Sequence, residues 1–182
     1  MKTIRGFNCF IFTILLLISF KSNCQSSDAI DSLKIKLIIA AREIMASSET
    51  CALITLDKEG VARVRTMNPF DPENDLTVWF GTNPKSRKVN QIKNDPRVTL
   101  YYLDKDETGY VTIHGTAQII NDQKEKEKWW KDEWKDYYPN KNDDYLLIKV
   151  IPKWMEVISE TRKIFGDTIT WQPKQILFET KK

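Results

Sequence analysis

The densest chemistry in the chain lies in Gly81-Thr-Asn-Pro-Lys-Ser-Arg-Lys-Val-Asn-Gln-Ile-Lys-Asn-Asp-Pro-Arg-Val98. An apolar run, Leu76–Phe80, stops at Gly81. Thr82 and Asn83 can cap, and Pro84 suits a first helical turn because it lacks an N–H that would be unpaired there. The spacing predicts a strand end, a tight loop, a short helix over 84–94 and the start of another strand. Ser86, Arg87 and Lys88 then fall in the first turn, where unpaired N–H groups and the positive end of the helix dipole favour an anion. Cations prefer the opposite end, so Lys85, Arg87 and Lys88 are badly placed unless something negative joins them. A phosphate site and a solvated basic helix start both account for the pattern. Spacing alone does not separate them.

Other reactive side chains are sparse. The chain has one histidine, His114, inside a predicted strand, where a lone imidazole is expected to be packed or at the surface rather than catalytic. It has no cluster to join as a metal ligand. Cys51 falls in a strand candidate without a nearby cation or imidazole in sequence, which predicts a buried structural thiol. The acids of Asn68–Asp75 lack the glycine and closing glutamate of a calcium loop. No metal site is expected.

At 182 residues the chain suits one domain with a proper core. Its first 24 residues stand apart. Lys2 and Arg5 precede the mostly apolar Phe7–Phe20, and Ser22-Asn23-Cys24 offers a small-x-small cleavage site, so 1–24 is expected to be a secretory signal peptide. The mature domain is then 25–182, exported to a periplasm or secreted. Lipid anchoring through Cys24 is the rival, although Lys21 stands where such sites want an aliphatic residue. The leader holds Lys2, Arg5 and Lys21 and no acid, so of 28 basic and 25 acidic residues the mature chain keeps 25 of each. That balance argues against a nucleic-acid partner. No integral membrane segment is expected once the leader is removed.

Helical spacing of Ile30, Leu33, Leu37, Ala40/Ala41 and Ile44 predicts an amphipathic helix over 28–47. Strands are expected at Thr50–Leu56 and Val61–Met67, joined by a hairpin at Asp57–Gly60, then at Leu76–Phe80, Arg97–Tyr102 and Gly109–Ile120, with Gly115 a bulge or close-approach point. Asn121–Tyr138 is expected as one helix with an aromatic face. Tyr145–Ile151 and Trp154–Ile158 are two further strands divided by Pro152-Lys153, and Ile176–Phe178 is a last apolar run. The sum is a mainly β, α+β domain: six or seven antiparallel strands forming a small β-barrel with helices against it.

The segment Thr82-Asn83, Ser86-Arg87-Lys88, Gln91-Ile92 and Asn94-Asp95-Pro96-Arg97-Val98 closely resembles the flavin-phosphate segment of pyridoxamine 5′-phosphate oxidase. With Val78–Thr82, Trp129 to Tyr138-Pro139 and Asp143–Val150, the chain is most similar to the general stress protein 26-type branch of that superfamily. The resemblance runs from about residue 30 to 178. It implies an FMN-binding split barrel, a homodimer with the flavoprotein's two FMN sites at the subunit interface, and an oxidoreductase chemistry belonging to the flavin. Arg87 and Lys88 would hold the phosphate with Ser86, and Arg65 would be a further phosphate ligand. The backbone of Thr66 and Met67 would face the isoalloxazine edge, and Gly81 and Thr82 would approach the ring and ribityl chain. A non-catalytic flavin carrier or sensor, or a barrel taking a deazaflavin or haem, are the alternatives. The vitamin B6 oxidases carry a lysine just beyond the strand arginine and a terminal Arg-x-His element. Here Asn68-Pro69-Phe70 replaces the first and nothing replaces the second, so the resemblance does not extend to pyridoxamine 5′-phosphate oxidase activity.

Overall fold

The structure, a computed structural model, describes residues 30–178. The expected signal segment and Cys24 lie outside the described residues. The described residues divide into two compact units, those up to Ile38 and those from Ile39 on. Residues 30–38 of the first are helical. The second opens with helical residues 39–47, termed α1. Ala40, Ala41, Ile44 and Met45 of α1 are buried, as the apolar spacing requires. Among the described residues no helix is long and apolar enough to cross a membrane.

The rest is one antiparallel sheet. β1 (Cys51–Leu56) and β2 (Ala62–Met67) form the expected hairpin, with Gly60 at a φ of +77° in the turn. β3 (Val78–Thr82), α2 (Arg87–Asn94), β4 (Arg97–Leu103) and β5 (Gly109–Ile120) follow. α3 (Gln123–Lys128), a 3₁₀ turn (Asp132–Trp134) and α4 (Lys141–Asp144) lead into β6 (Leu146–Ser159) and β7 (Lys174–Leu177). Among the described residues the sheet has seven strands in the order β2-β1-β4-β5-β6-β3, with β7 on β6. β2 and β3 stand at the two ends of that order and do not pair, so the barrel is split rather than closed by hydrogen bonds. Strand alternation buries Leu53, Leu100, Ile113, Val111 and Val157 on one face.

Three expectations need correction. β3 continues through Gly81 and Thr82, which pair with Leu147 and Leu146. The strand does not end at the glycine, and Pro84 lies in a turn before α2, whose cap is Ser86. The expected helix over 121–138 ends at Lys128. Adjacent residues of a helix point about 100° apart, yet Trp129 and Trp130 both reach the same cluster. Trp129 stacks on Trp79 with centroids 5.1 Å apart, and Trp130 meets Tyr145 edge-on at 5.4 Å. Breaking the helix lets both rings bury. Finally, Tyr145–Ile151 and Trp154–Ile158 belong to one long strand. Pro152 does not break β6 because it faces Gly115 where the β5–β6 register shifts, leaving Lys153 as the extra residue between Pro152 and Trp154.

Gly115 is the close-approach point at that bulge. A Cβ there would stand 2.4 Å from the Ile151 carbonyl oxygen. Gly115→Ala should therefore destabilise the domain by about 2 kcal/mol or more, since backbone must shift to admit the methyl group. Denaturant unfolding followed by tryptophan fluorescence checks this; an unchanged midpoint contradicts it.

Candidate functional site

α2 is short and basic, and its burial fixes where its cations go. Val89 and Ile92 are buried, anchoring the helix against β1 and β5. There is no acid in its first turn, and Ser86 makes no side-chain cap bond. The N–H groups of Arg87 and Lys88 have no backbone acceptor among the described residues. The Ser86 hydroxyl instead lies 3.3 Å from the hydroxyl of the buried Thr82 at the end of β3. Two hydroxyls and two free N–H groups thus converge at the start of α2.

Arg65 joins them from β2. The alternation of β2 leaves its direction ambiguous, but pairing settles it: Arg65 stands opposite the buried Leu53, and its neighbour Val64 is 66% exposed on the other face. The guanidinium donates from Nη1 to the Thr55 hydroxyl at 2.7 Å and from Nη2 to Gln91 Oε1 at 2.9 Å. Thr55, fully buried, donates in turn to Gln91 Oε1 at 2.7 Å. These partners fix the charge in place without neutralising it.

Arg65, Arg87 and Lys88 are close enough to repel. Burial, and then the charge of Arg87, lowers the pKa of Arg65. Burial, and then the charge of Arg65, lowers that of Lys88 below its ordinary 10.5. No carboxylate pairs with any of the three among the described residues. A phosphate dianion supplies what the cluster lacks: two or more charges and acceptors for guanidinium, ammonium, hydroxyl and backbone N–H together. Polar groups with no counter-ion of their own are suited to hold a phosphate.

The other expected residues lie next to Arg65 on β2 or next to Thr82 on β3. β2 is an edge strand, so one side of the Arg65–Met67 backbone is unpaired by the sheet. Thr66 is exposed on the face opposite Arg65, beside Ala52 and Tyr101 in the cross-strand row. Met67 pairs with Cys51 at the strand end. Gly81 approaches something closely, but that something is Trp134: a Cβ would stand 2.4 Å from the indole and 2.8 Å from the Tyr145 ring. Thr55 and Gln91 are absent from the sequence-derived site, since nothing local shows that a threonine of β1 and a glutamine of α2 share one arginine.

The remaining chemical candidates lie elsewhere. Cys51 is buried and burial pushes its thiol up to about 12. His114 stacks on Trp154 with centroids 3.7 Å apart and bonds Thr99 through Nδ1 at 3.1 Å, while burial lowers its pKa. Both are packed residues. His114 and Trp154 line a cleft of about 390 Å³ with Ile54, Leu56, Thr99 and Lys153. That cleft is on the sheet face opposite Arg65.

No curated protein matches the chain. Among solved structures, it is similar to general stress protein 26 from Bacillus anthracis, with 23% identity, a TM-score of 0.62 and coverage of 78% of this chain and 98% of that one. It is also similar to a protein of the pyridoxinephosphate oxidase family, related to general stress protein 26, from Clostridium acetobutylicum: 22% identity, TM-score 0.64, covering 78% and 94% respectively. These likenesses establish the fold. The family profile described as "Pyridoxamine 5′-phosphate oxidase like" matches residues 38–165, a span that holds every strand from β1 to β6 and the whole cation cradle. The chain belongs to the pyridoxamine 5′-phosphate oxidase-like family.

Proposed function

We propose that this protein is an exported FMN-binding protein, a flavin-dependent oxidoreductase of the general stress protein type. The family usually binds flavin, and the observation that carries FMN itself is the unneutralised cluster of Arg65, Arg87 and Lys88 at the start of α2. Riboflavin has no group for that cluster; FMN has a phosphate.

Each residue then has a task. Arg87 and Lys88 bind the phosphate, with Ser86 and the first-turn N–H groups as donors. Arg65, held by Thr55 and Gln91, adds a directed guanidinium. Thr82 and the backbone of Gly81 border the ribityl chain, and the edge of Arg65-Thr66-Met67 borders the ring. When bound, the flavin supplies hydride chemistry, and the protein orients it and sets its surroundings. Neither His114 nor Cys51 belongs to the cradle, an observation that favours a non-catalytic flavin carrier or sensor as the second reading.

A homodimer fits the sheet face opposite Arg65, where Val64 and Leu177 are exposed and the residues between them half-buried. Val64, Ile54, Thr99, His114, Trp154 and Leu177 form one cross-strand row there. Val64, Leu103 and Leu177 are 66%, 48% and 75% exposed. Covering such a row with a second copy would bring that copy beside Thr66 and the open edge of β2, around which FMN would reach from the cradle on the opposite face. Export rests on the leader at 1–24.

Arg87→Ala combined with Lys88→Ala should weaken FMN binding at least about a hundredfold, ~2.7 kcal/mol, and riboflavin binding by less than about threefold. Equal losses by fluorescence titration contradict the phosphate assignment. The pH dependence follows from Lys88. Its protonated form pairs with phosphate, so FMN affinity should fall as pH rises through its lowered pKa, while Lys88→Arg should hold FMN to higher pH because a guanidinium stays charged. Without ligand the sign reverses. The folded state releases the Lys88 proton more readily than the unfolded chain, so Lys88 contributes rising stability as pH increases through that window. Parallel FMN and riboflavin titrations from neutral pH upward test the first; identical profiles for the wild-type and Lys88→Arg proteins contradict it.

A further inference from the structure

The chain just past β2 carries a feature that the phosphate cradle does not use. Lys131, from the segment between α3 and the 3₁₀ turn, donates to Asn68 Oδ1 at 3.0 Å, across a sequence separation of 63. Its ammonium lies 4.8 Å from the Phe70 ring centroid and 5.5 Å from that of Trp134. Its neighbours differ. Lys128 lies 4.0 Å from Glu73, Lys135 lies 3.5 Å from Asp132, and the buried Lys126 is bonded to Asn121 and to the Asn142 carbonyl. Lys131 has no carboxylate among the described residues, only an amide oxygen and two ring faces.

Lys131 is a partly exposed residue whose ammonium is held by neutral partners. An amide oxygen and aromatic faces hold an ammonium by dipole and quadrupole without cancelling its field. A residue of strand advances about 3.3 Å, so Asn68 lies about 10 Å along the chain from Arg65, on the far side of Thr66 and Met67. The cradle marks the phosphate end of the ligand. Lys131 marks the end away from it.

We propose that Lys131 is a positioning charge for the redox end of the site: its fixed, uncompensated ammonium makes the bound isoalloxazine a better acceptor of an electron pair. This rests on the FMN assignment above. Oxidised flavin takes up two electrons and one proton at N5, and the remaining negative charge spreads over N1 and the C2 carbonyl. A nearby cation favours that charged product over the neutral oxidised ring. The phosphate end, held by Arg65, Arg87 and Lys88, is not involved, so affinity and reduction should respond to different residues.

The test uses full-length protein loaded with FMN and reduced by dithionite in the presence of a reference dye. Lys131→Gln should lower the midpoint by the equivalent of about a tenfold loss in the reduction equilibrium, about 30 mV for two electrons. FMN affinity should change by less than about threefold. Lys131→Arg should keep the wild-type midpoint. Sulfite gives a second readout: its sulfur lone pair bonds to N5, nothing leaves, and the added charge again resides at N1 and C2=O. The Gln variant should bind sulfite about tenfold more weakly. An unchanged midpoint in a Gln variant that holds FMN overturns the role of Lys131 and leaves the FMN assignment standing. Failure of wild-type protein to hold FMN overturns both. A Gln variant that loses FMN more than about tenfold shows a binding residue and contradicts the proposal.

Discussion

Arg65, Arg87 and Lys88 repel one another, and the structure around them is arranged to hold them together. After burial, the charge of Arg87 lowers the pKa of Arg65, and that of Arg65 lowers the pKa of Lys88. Nothing acidic offsets this within the described residues. The hydroxyl of Thr55 and the amide of Gln91 fix Arg65, and burial of Val89 and Ile92 seats α2 so that its basic first turn faces β2. The cost is tolerable because the rest of the fold is a continuous, well-buried sheet. A site held under mutual repulsion is ready for an anion.

The split in the barrel has the same logic. Had β2 and β3 paired, the backbone groups at Arg65–Met67 would be used by the ladder. Leaving β2 as an edge keeps them available beside the cradle. Edge strands invite unwanted pairing. Here Arg63, tied to Asp57, puts a charge on the edge.

Much of this was legible in the sequence, and the parts that were not share a cause. The α2 segment could be placed from its crowded cations, although Gly81 and Pro84 put the strand end and the helix start too early. Strands β1, β2, β4 and β5 were legible from alternation and turn residues. The facing of Arg65 was not, because Ala62-Arg63-Val64-Arg65-Thr66-Met67 alternates ambiguously and only the partner Leu53 decides it. The stretch from Asn121 to Tyr138 has helix-forming composition, yet tertiary burial of Trp129 and Trp130 on Trp79 and Tyr145 overrode it. Pro152 read as a strand break because a bulge opposite Gly115 cannot be foreseen from one strand. Lys131 was invisible for the simplest reason: its partner Asn68 belongs to another element.

The central claim is that the cradle holds FMN. The most direct measurement is equilibrium dialysis of the purified protein against FMN, followed by a visible absorption spectrum of the retained fraction. The account predicts flavin bands at about one FMN per chain. A protein that keeps its fold by circular dichroism and retains no flavin would contradict it.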